Sequence, residues 1–122
     1  MDKILLSNGI EMPPIVETTN WMDYPVMKKL VTAGLQIGFR AFDTARDYGN
    51  EDVVGQVMKE CLKEQGLKRE DIFITTKIGN SQQALGNIEE QVDMSLRNLQ
   101  TDYIDLWLMH WPYPDHYVDT WH

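Results

Sequence analysis

The sequence predicts an α/β protein, a parallel sheet entered through an N-terminal β-hairpin. Two observations carry the prediction. After the hairpin, extended and helical patterns alternate as β-α-β-α-β-α-β, the order of a parallel sheet with right-handed crossovers. The alternation is also regular: from Asp43 to Lys77 is 34 residues and from Lys77 to His110 is 33, each step one helix plus one strand. No linker or low-complexity segment divides the chain, so a single domain is expected over residues 1–122.

Taken in order, Lys3 to Ser7 and Ile10 to Met12 flank Asn8-Gly9, the strongest two-residue hairpin signal. Pro13-Pro14 breaks the pattern. Ile15 to Trp21 is a first core strand, made unusually polar by Glu17, Thr18, Thr19 and Asn20. Asp23 can cap the next helix, and Pro25 is tolerated in its first turn. Val26, Met27, Leu30, Val31, Ala33 and Ile37 keep a helical period, and Gly38 can end it in a left-handed conformation. Gly34 lies inside this helix, at a cost of up to about 1 kcal/mol relative to Ala unless close packing requires it.

Phe39 to Asp43 is the second strand. Asn50 stands where a cap is needed, and Glu51 and Asp52 sit at the positive end of the helix that follows. Val53, Val54, Val57, Met58, Cys61 and Leu62 form one apolar stripe, and Gly66 is its stop. Lys68-Arg69-Glu70-Asp71 reads as an exposed turn. Ile72 to Lys77 is β-branched and reads as a buried strand ending on a lysine. Asn80 to Gly86 is a polar loop. Asn87 with Glu90 resembles a capping box, after which Ile88, Val92, Leu96 and Leu99 continue a helical stripe. Thr101-Asp102 turns the chain into a fourth strand, Tyr103 to His110, and Trp111-Pro112-Tyr113-Pro114 forces an extended exit.

Composition narrows the function. The 122 residues are 43% hydrophobic and 25% charged, enough for one globular core but short for a closed eight-fold barrel, which takes about 250 residues. The net charge is -8 and no basic cluster exists, which argues against nucleic acid as a partner. The single cysteine, Cys61, excludes an intrachain disulfide and reads as a small buried hydrophobe. The first residues lack the basic and apolar regions of a signal peptide, and no apolar run is long enough to span a bilayer. The cytoplasm is the expected compartment.

Asp43, Lys77 and His110 each end a predicted strand. Neighbouring strands lie about 5 Å apart, so these side chains converge if the three strands are neighbours, and Tyr48 can lean in from the loop above the second. A free phenol is a poor acid at neutral pH. A nearby ammonium favours its phenolate, a carboxylate holds that ammonium in place, and an imidazole can donate to a substrate oxygen. Together they form a proton donor aimed at an oxygen gaining negative charge, as in carbonyl reduction. A metal site from His110, Asp115, His116 and His122 is the weaker alternative, because its spacing matches no strong ligand pattern.

Three ordered motifs add a resemblance. Phe42-Asp43-Thr44-Ala45-Arg46-Asp47-Tyr48-Gly49-Asn50-Glu51, Ile74-Thr75-Thr76-Lys77 and Asp102-Tyr103-Ile104-Asp105-Leu106-Trp107-Leu108-Met109-His110-Trp111-Pro112 resemble the aldo-keto reductase family, from the hairpin to Pro112. The resemblance implies a (β/α)8 barrel of the TIM type, of which residues 1–122 would hold about the first four β/α units after the hairpin. It implies reduction of an aldehyde or ketone by NADPH or NADH. Tyr48 would be the general acid, Lys77 paired with Asp43 would favour release of its proton, and His110 would orient the carbonyl. Trp111 would wall an apolar substrate pocket or serve structure alone, with Trp21 as a further substrate contact. Thr19 and Asp43 would touch the cofactor.

Two departures from the family pattern stand out. The family's first strand usually reads Gly-x-Gly-Thr-aromatic after Met-Pro. Here Met12-Pro13 leads to Pro14-Ile15-Val16-Glu17-Thr18-Thr19-Asn20-Trp21: Thr19 fits, the glycines are absent, and the aromatic comes one residue late. Bulkier side chains would narrow the barrel mouth there. The sequence also ends after the fourth strand, whereas most family cofactor contacts lie later, so a truncated fragment of an enzyme is expected. The competing expectations are a non-catalytic binding or regulatory subunit of the same fold and a half-barrel that self-associates.

Overall fold

The computed structural model describes residues 2–79 and 88–110. The predicted hairpin forms from β1 (Ile4–Leu5) and β2 (Glu11–Met12), antiparallel with Ile4 opposite Met12. Its loop has three residues, where Asn8-Gly9 alone predicts two. The Leu6 N–H donates to Ile10 O at 2.8 Å, the Gly9 N–H donates to Leu6 O at 3.0 Å, and Gly9 takes φ 85°. Asn8 Oδ1 accepts from the Ile10 N–H at 3.1 Å. This is a turn closed by a left-handed glycine, the usual three-residue solution.

The main sheet holds β3 (Val16–Thr18), β4 (Ala41–Asp43), β5 (Phe73–Ile78) and β6 (Leu106–Met109), in that spatial order and all parallel. Between them run α1 (Tyr24–Ile37), α2 (Glu51–Gln65) and α3 (Ile88–Leu99), with α2 packed between the other two. Three of the parallel strands are shorter than the runs that predict them, whereas β5 keeps six residues and is shifted by one, ending on Ile78 instead of Lys77. The first ends at Thr18, and in the turn that follows Trp21 takes φ 58°, a conformation uncommon outside glycine. The last begins at Leu106, after Tyr103 and Asp105 have turned to Arg69.

The core lies between the sheet and the helices. Phe42 and Ile74 enter it from the strands; Met27, Val31 and Leu35 come from α1; Val54, Val57, Met58, Cys61 and Leu62 come from α2. Full burial of each large side chain contributes about 1.5–3 kcal/mol. Cys61 is buried, as expected, with its Sγ 3.4 Å from Thr32 Oγ1. Because strand side chains alternate, Phe42 and Ile74 face the helices while Asp43, Thr75 and Lys77 face the other side.

The caps follow the sequence at three of four ends. Asp23 Oδ1 accepts from the Val26 N–H at 3.3 Å, and Gly38 and Gly66 close α1 and α2 at φ 103° and 67°. Asn50 differs. Its side chain makes no bond to α2 and donates instead to Thr19 O at 2.8 Å and Met22 O at 3.0 Å, tying α2 to the loop after β3. Asn87 and the Asn80–Gly86 loop lie outside the described residues, as does the exit from Trp111 to Pro114. Among the described residues no helix is long and apolar enough to cross a membrane.

Three described glycines, Gly34, Gly55 and Gly79, sit in close approach to a neighbour, which is backbone only at Gly55. A Cβ on Gly34 would collide with the Glu17 carboxylate, and one on Gly55 with the backbone of Asn98 and Leu99. The first contact also locates Glu17, which occupies the strand where glycines were expected. Its side chain turns toward α1, on the helix side of the sheet, whereas Val16 and Thr18, which fill the glycine positions before Thr19, alternate with it and stand on the face that carries Asp43.

Candidate active site

Asp43 ends β4, and its Cα stands opposite Thr75 of β5. Lys77 is two residues further along β5, so its side chain leaves the same face. The Lys77 ammonium donates to Asp43 Oδ1 at 2.8 Å, Asp43 Oδ2 at 2.7 Å, Thr44 O at 3.1 Å and the Tyr48 phenolic oxygen at 3.4 Å. With its side chain only 15% exposed, it is a largely desolvated cation whose direction is fixed by four acceptors. Tyr48 accepts from Lys77, which leaves the phenol's own hydrogen free to point toward a second acceptor.

Tyr48 closes a 3-10 turn, Arg46–Tyr48, that lifts the chain from β4 and ends on left-handed Gly49 at φ 66°. His110 follows β6, and its N–H donates to Ile78 O at 2.9 Å, which extends the sheet ladder. The His110 ring stands edge-on to Tyr48, centroids 5.7 Å apart at 84°. The Trp21 ring lies 5.9 Å from Tyr48 on another side and is 71% exposed. Asp43, Tyr48, Lys77 and His110 therefore converge, with Trp21 at the edge.

Thr19 is placed differently from an outward contact. It is fully buried, and both its N–H and its hydroxyl donate to Asp43 O, at 3.0 and 2.9 Å. It anchors the strand end that carries Asp43. Trp111 lies outside the described residues. So do Asp115, His116 and His122; among the described residues no three His, Cys, Asp or Glu side chains are grouped to hold a metal.

The structure adds residues that sequence reading missed. Glu51, read as a dipole-compensating acid, is a buried hub. Its Oε1 accepts from Arg46 Nε at 2.9 Å and Ser95 Oγ at 3.2 Å, and its Oε2 from Thr76 Oγ1 at 2.7 Å. Arg46 continues into α3, donating to Gln91 O at 2.6 Å and Ser95 Oγ at 3.0 Å. The turn that presents Tyr48 is thus bolted to α2, α3 and the residue before Lys77. Asp47 brings Oδ2 to 3.5 Å from His110 Nδ1. No spacing rule marks these partners, since Arg46 and Glu51 lie on different elements.

Cavity size does not locate this site. A cavity of about 810 Å³ opens between α2 and α3, lined by Met58, Leu62 and Leu96 among others, and includes none of the four converging residues. The convergence of ionisable groups is the better guide, because chemistry needs opposed charges within hydrogen-bond reach.

A family model for the aldo/keto reductase family matches residues 15–122. The chain belongs to the aldo/keto reductase family. It is 39% identical to a glyoxal reductase from Bacillus subtilis, covering 98% of this chain and 42% of the relative. It is 40% identical to an NADP-dependent D-sorbitol-6-phosphate dehydrogenase from Malus domestica, over 93% of this chain and 36% of the relative. A solved aldo-keto reductase from Bombyx mori, in complex with NADP, superposes with a TM-score of 0.85 at 30% identity, covering 98% of this chain and 44% of that one. This member thus spans about two fifths of the length of the curated relatives it matches. Its fold is that of the family's barrel: a hairpin, then four adjacent parallel strands joined by helices.

Proposed function

We propose that this aldo/keto reductase chain carries the proton-donating half of a carbonyl reductase, which converts an aldehyde or ketone to an alcohol at the expense of NADPH or NADH. The observation that carries the reading is Lys77, which donates at once to Asp43 and to the Tyr48 oxygen. The donor set fits such chemistry: a proton donor and a cation to hold its conjugate base.

When bound, the reduced nicotinamide supplies hydride to the carbonyl carbon. Tyr48 gives its proton to the carbonyl oxygen as the carbon–oxygen double bond opens. Lys77 holds the phenolate left behind until solvent returns the proton. Asp43 holds the Lys77 ammonium in place and would help to hold the nicotinamide, while Thr19 would act by fixing the strand end that carries Asp43. His110 orients the carbonyl oxygen toward the phenol, and Trp21 flanks the substrate space.

The test is NADPH and NADH oxidation with a panel of aldehydes, on this chain and on a version extended to family length, each with Tyr48→Phe. The reading expects turnover in the extended protein that Tyr48→Phe removes. An extended protein that reduces nothing, or whose rate ignores Tyr48→Phe, refutes it.

A further inference from the structure

Asn50 stands at the N-terminus of α2 without capping it. The residue is buried, and its amide nitrogen turns away from the helix to donate to Thr19 O at 2.8 Å and Met22 O at 3.0 Å. Its Oδ1 is buried with no hydrogen-bond partner among the described residues. Turning the amide over would aim that oxygen at two carbonyl oxygens, so the two donated bonds fix its orientation. Asn50 thus gives up the bond a helix start ordinarily draws from this residue type and spends both donors on a neighbouring loop.

The two carbonyls are the ends of one turn, closed by the Met22 N–H donating to Thr19 O at 3.3 Å. Inside it Trp21 holds φ 58°, a strained conformation for a bulky side chain, which persists only where the surroundings impose it. On one side Thr19 is buried and bonded to Asp43 O; on the other Met22 packs against the core. The Trp21 ring is largely exposed and leans on Tyr48, tilted at 49°. Burial does not hold that ring in place; the backbone around it does. Asn50 is two residues after Tyr48 in the chain, so its two bonds tie the turn that carries Trp21 to the segment that carries the phenol.

We propose that Asn50 is a positioning residue: by holding Thr19 O and Met22 O it keeps Trp21 beside Tyr48 as an apolar wall, and so sets the affinity for aldehydes with a flat apolar substituent while taking no part in proton transfer. The inference rests on the carbonyl-reduction reading and deepens it. Its effect reaches the substrate only through Trp21, so the two residues act as one unit and their substitutions do not add.

The experiment uses the full-length protein carrying this sequence and measures kcat and KM for benzaldehyde and for propanal, one flat and aromatic, the other small. Asn50→Ser, whose single hydroxyl proton reaches one carbonyl and not both, is expected to raise the KM of benzaldehyde about fivefold, the worth of one aromatic contact, with a smaller change in its kcat and in the KM of propanal. Trp21→Ala gives a rise of the same size. In the Trp21→Ala background, Asn50→Ser leaves the benzaldehyde KM within about twofold. An equal loss of kcat for both aldehydes, an additive loss in the double variant, or a benzaldehyde KM that neither substitution moves overturns the inference and leaves carbonyl reduction standing. Asn50→Asp, which keeps the shape and replaces the donor with an oxygen, repeats the test if Asn50→Ser does not fold. If thermal unfolding shows that neither variant folds, Asn50 serves the fold alone and the inference falls. A protein that reduces neither aldehyde with NADPH or NADH overturns both readings.

Discussion

Arg46 and Glu51 face each other at the start of α2, Nε to Oε1 at 2.9 Å, with the Glu51 side chain only 2% exposed. The pair joins the turn that carries Tyr48 to the helix layer, and through Thr76 it reaches the residue next to Lys77. A buried charge without its partner is strongly unfavourable, whereas an apolar pair of similar size is tolerated. Arg46→Met should therefore destabilise the fold by about 3–5 kcal/mol, and Arg46→Met with Glu51→Leu should recover most of that loss. Urea unfolding of the two variants measures the difference.

Tyr48→Phe removes the donor and leaves the ring that contacts Trp21 and His110. The turnover number in NAD(P)H oxidation should fall by about 10²–10⁴-fold, the usual worth of a positioned general acid. Thermal unfolding should move little, because the phenolic oxygen accepts only a long bond from Lys77.

Lys77→Met should act on both activity and stability. It removes the cation that stabilises the Tyr48 phenolate and leaves the Asp43 carboxylate, 23% exposed, without its partner. The expected destabilisation is about 2 kcal/mol, below the fully buried case because water reaches part of the pair. Pairing Lys77→Met with Asp43→Leu should restore stability in urea unfolding while leaving activity lost.

Gly55→Ala should be destabilising despite the better helix propensity of alanine. The added methyl meets the backbone of Asn98 and Leu99, which cannot step aside as a side chain can. Overpacking of this kind costs about 1–3 kcal/mol. A stabilised variant in urea unfolding would show that α2 and α3 can separate at that point.

Glu17 provides a pH test. Burial against α1 raises its carboxyl pKa above the ordinary 4.5, and its Oε2 has no hydrogen-bond partner among the described residues. The folded state then holds this proton more tightly than the unfolded state, so Glu17 costs stability once pH rises through its folded value and costs nothing below the unfolded one. Glu17→Gln should raise the melting temperature at pH 7 and match the unmodified chain near pH 4. Melting curves across that range test the sign; a variant less stable at pH 7 contradicts it.

The sequence by itself determined the alternation of strands and helices, the parallel sheet, the glycine stops at Gly38 and Gly66, and the three ionisable strand ends one β/α unit apart. These are local or periodic properties, written in spacing and in backbone conformations that few residues adopt. The 34- and 33-residue steps put Asp43, Lys77 and His110 at the same side of the sheet, because parallel strands joined by single helices end there; that the strands are neighbours was decided by the sheet order.

Only the tertiary structure decided which side chains those ends would meet. It drew Asn50 from its own helix to Thr19 and Met22, buried Glu51 beneath Arg46, set Asp47 beside His110, and turned Glu17 toward Gly34. Such contacts depend on strand register and on which helix lies behind which strand. A polar residue near a helix start carries the same local signal whether it caps, pairs or faces solvent; its partner is chosen by the elements packed against it.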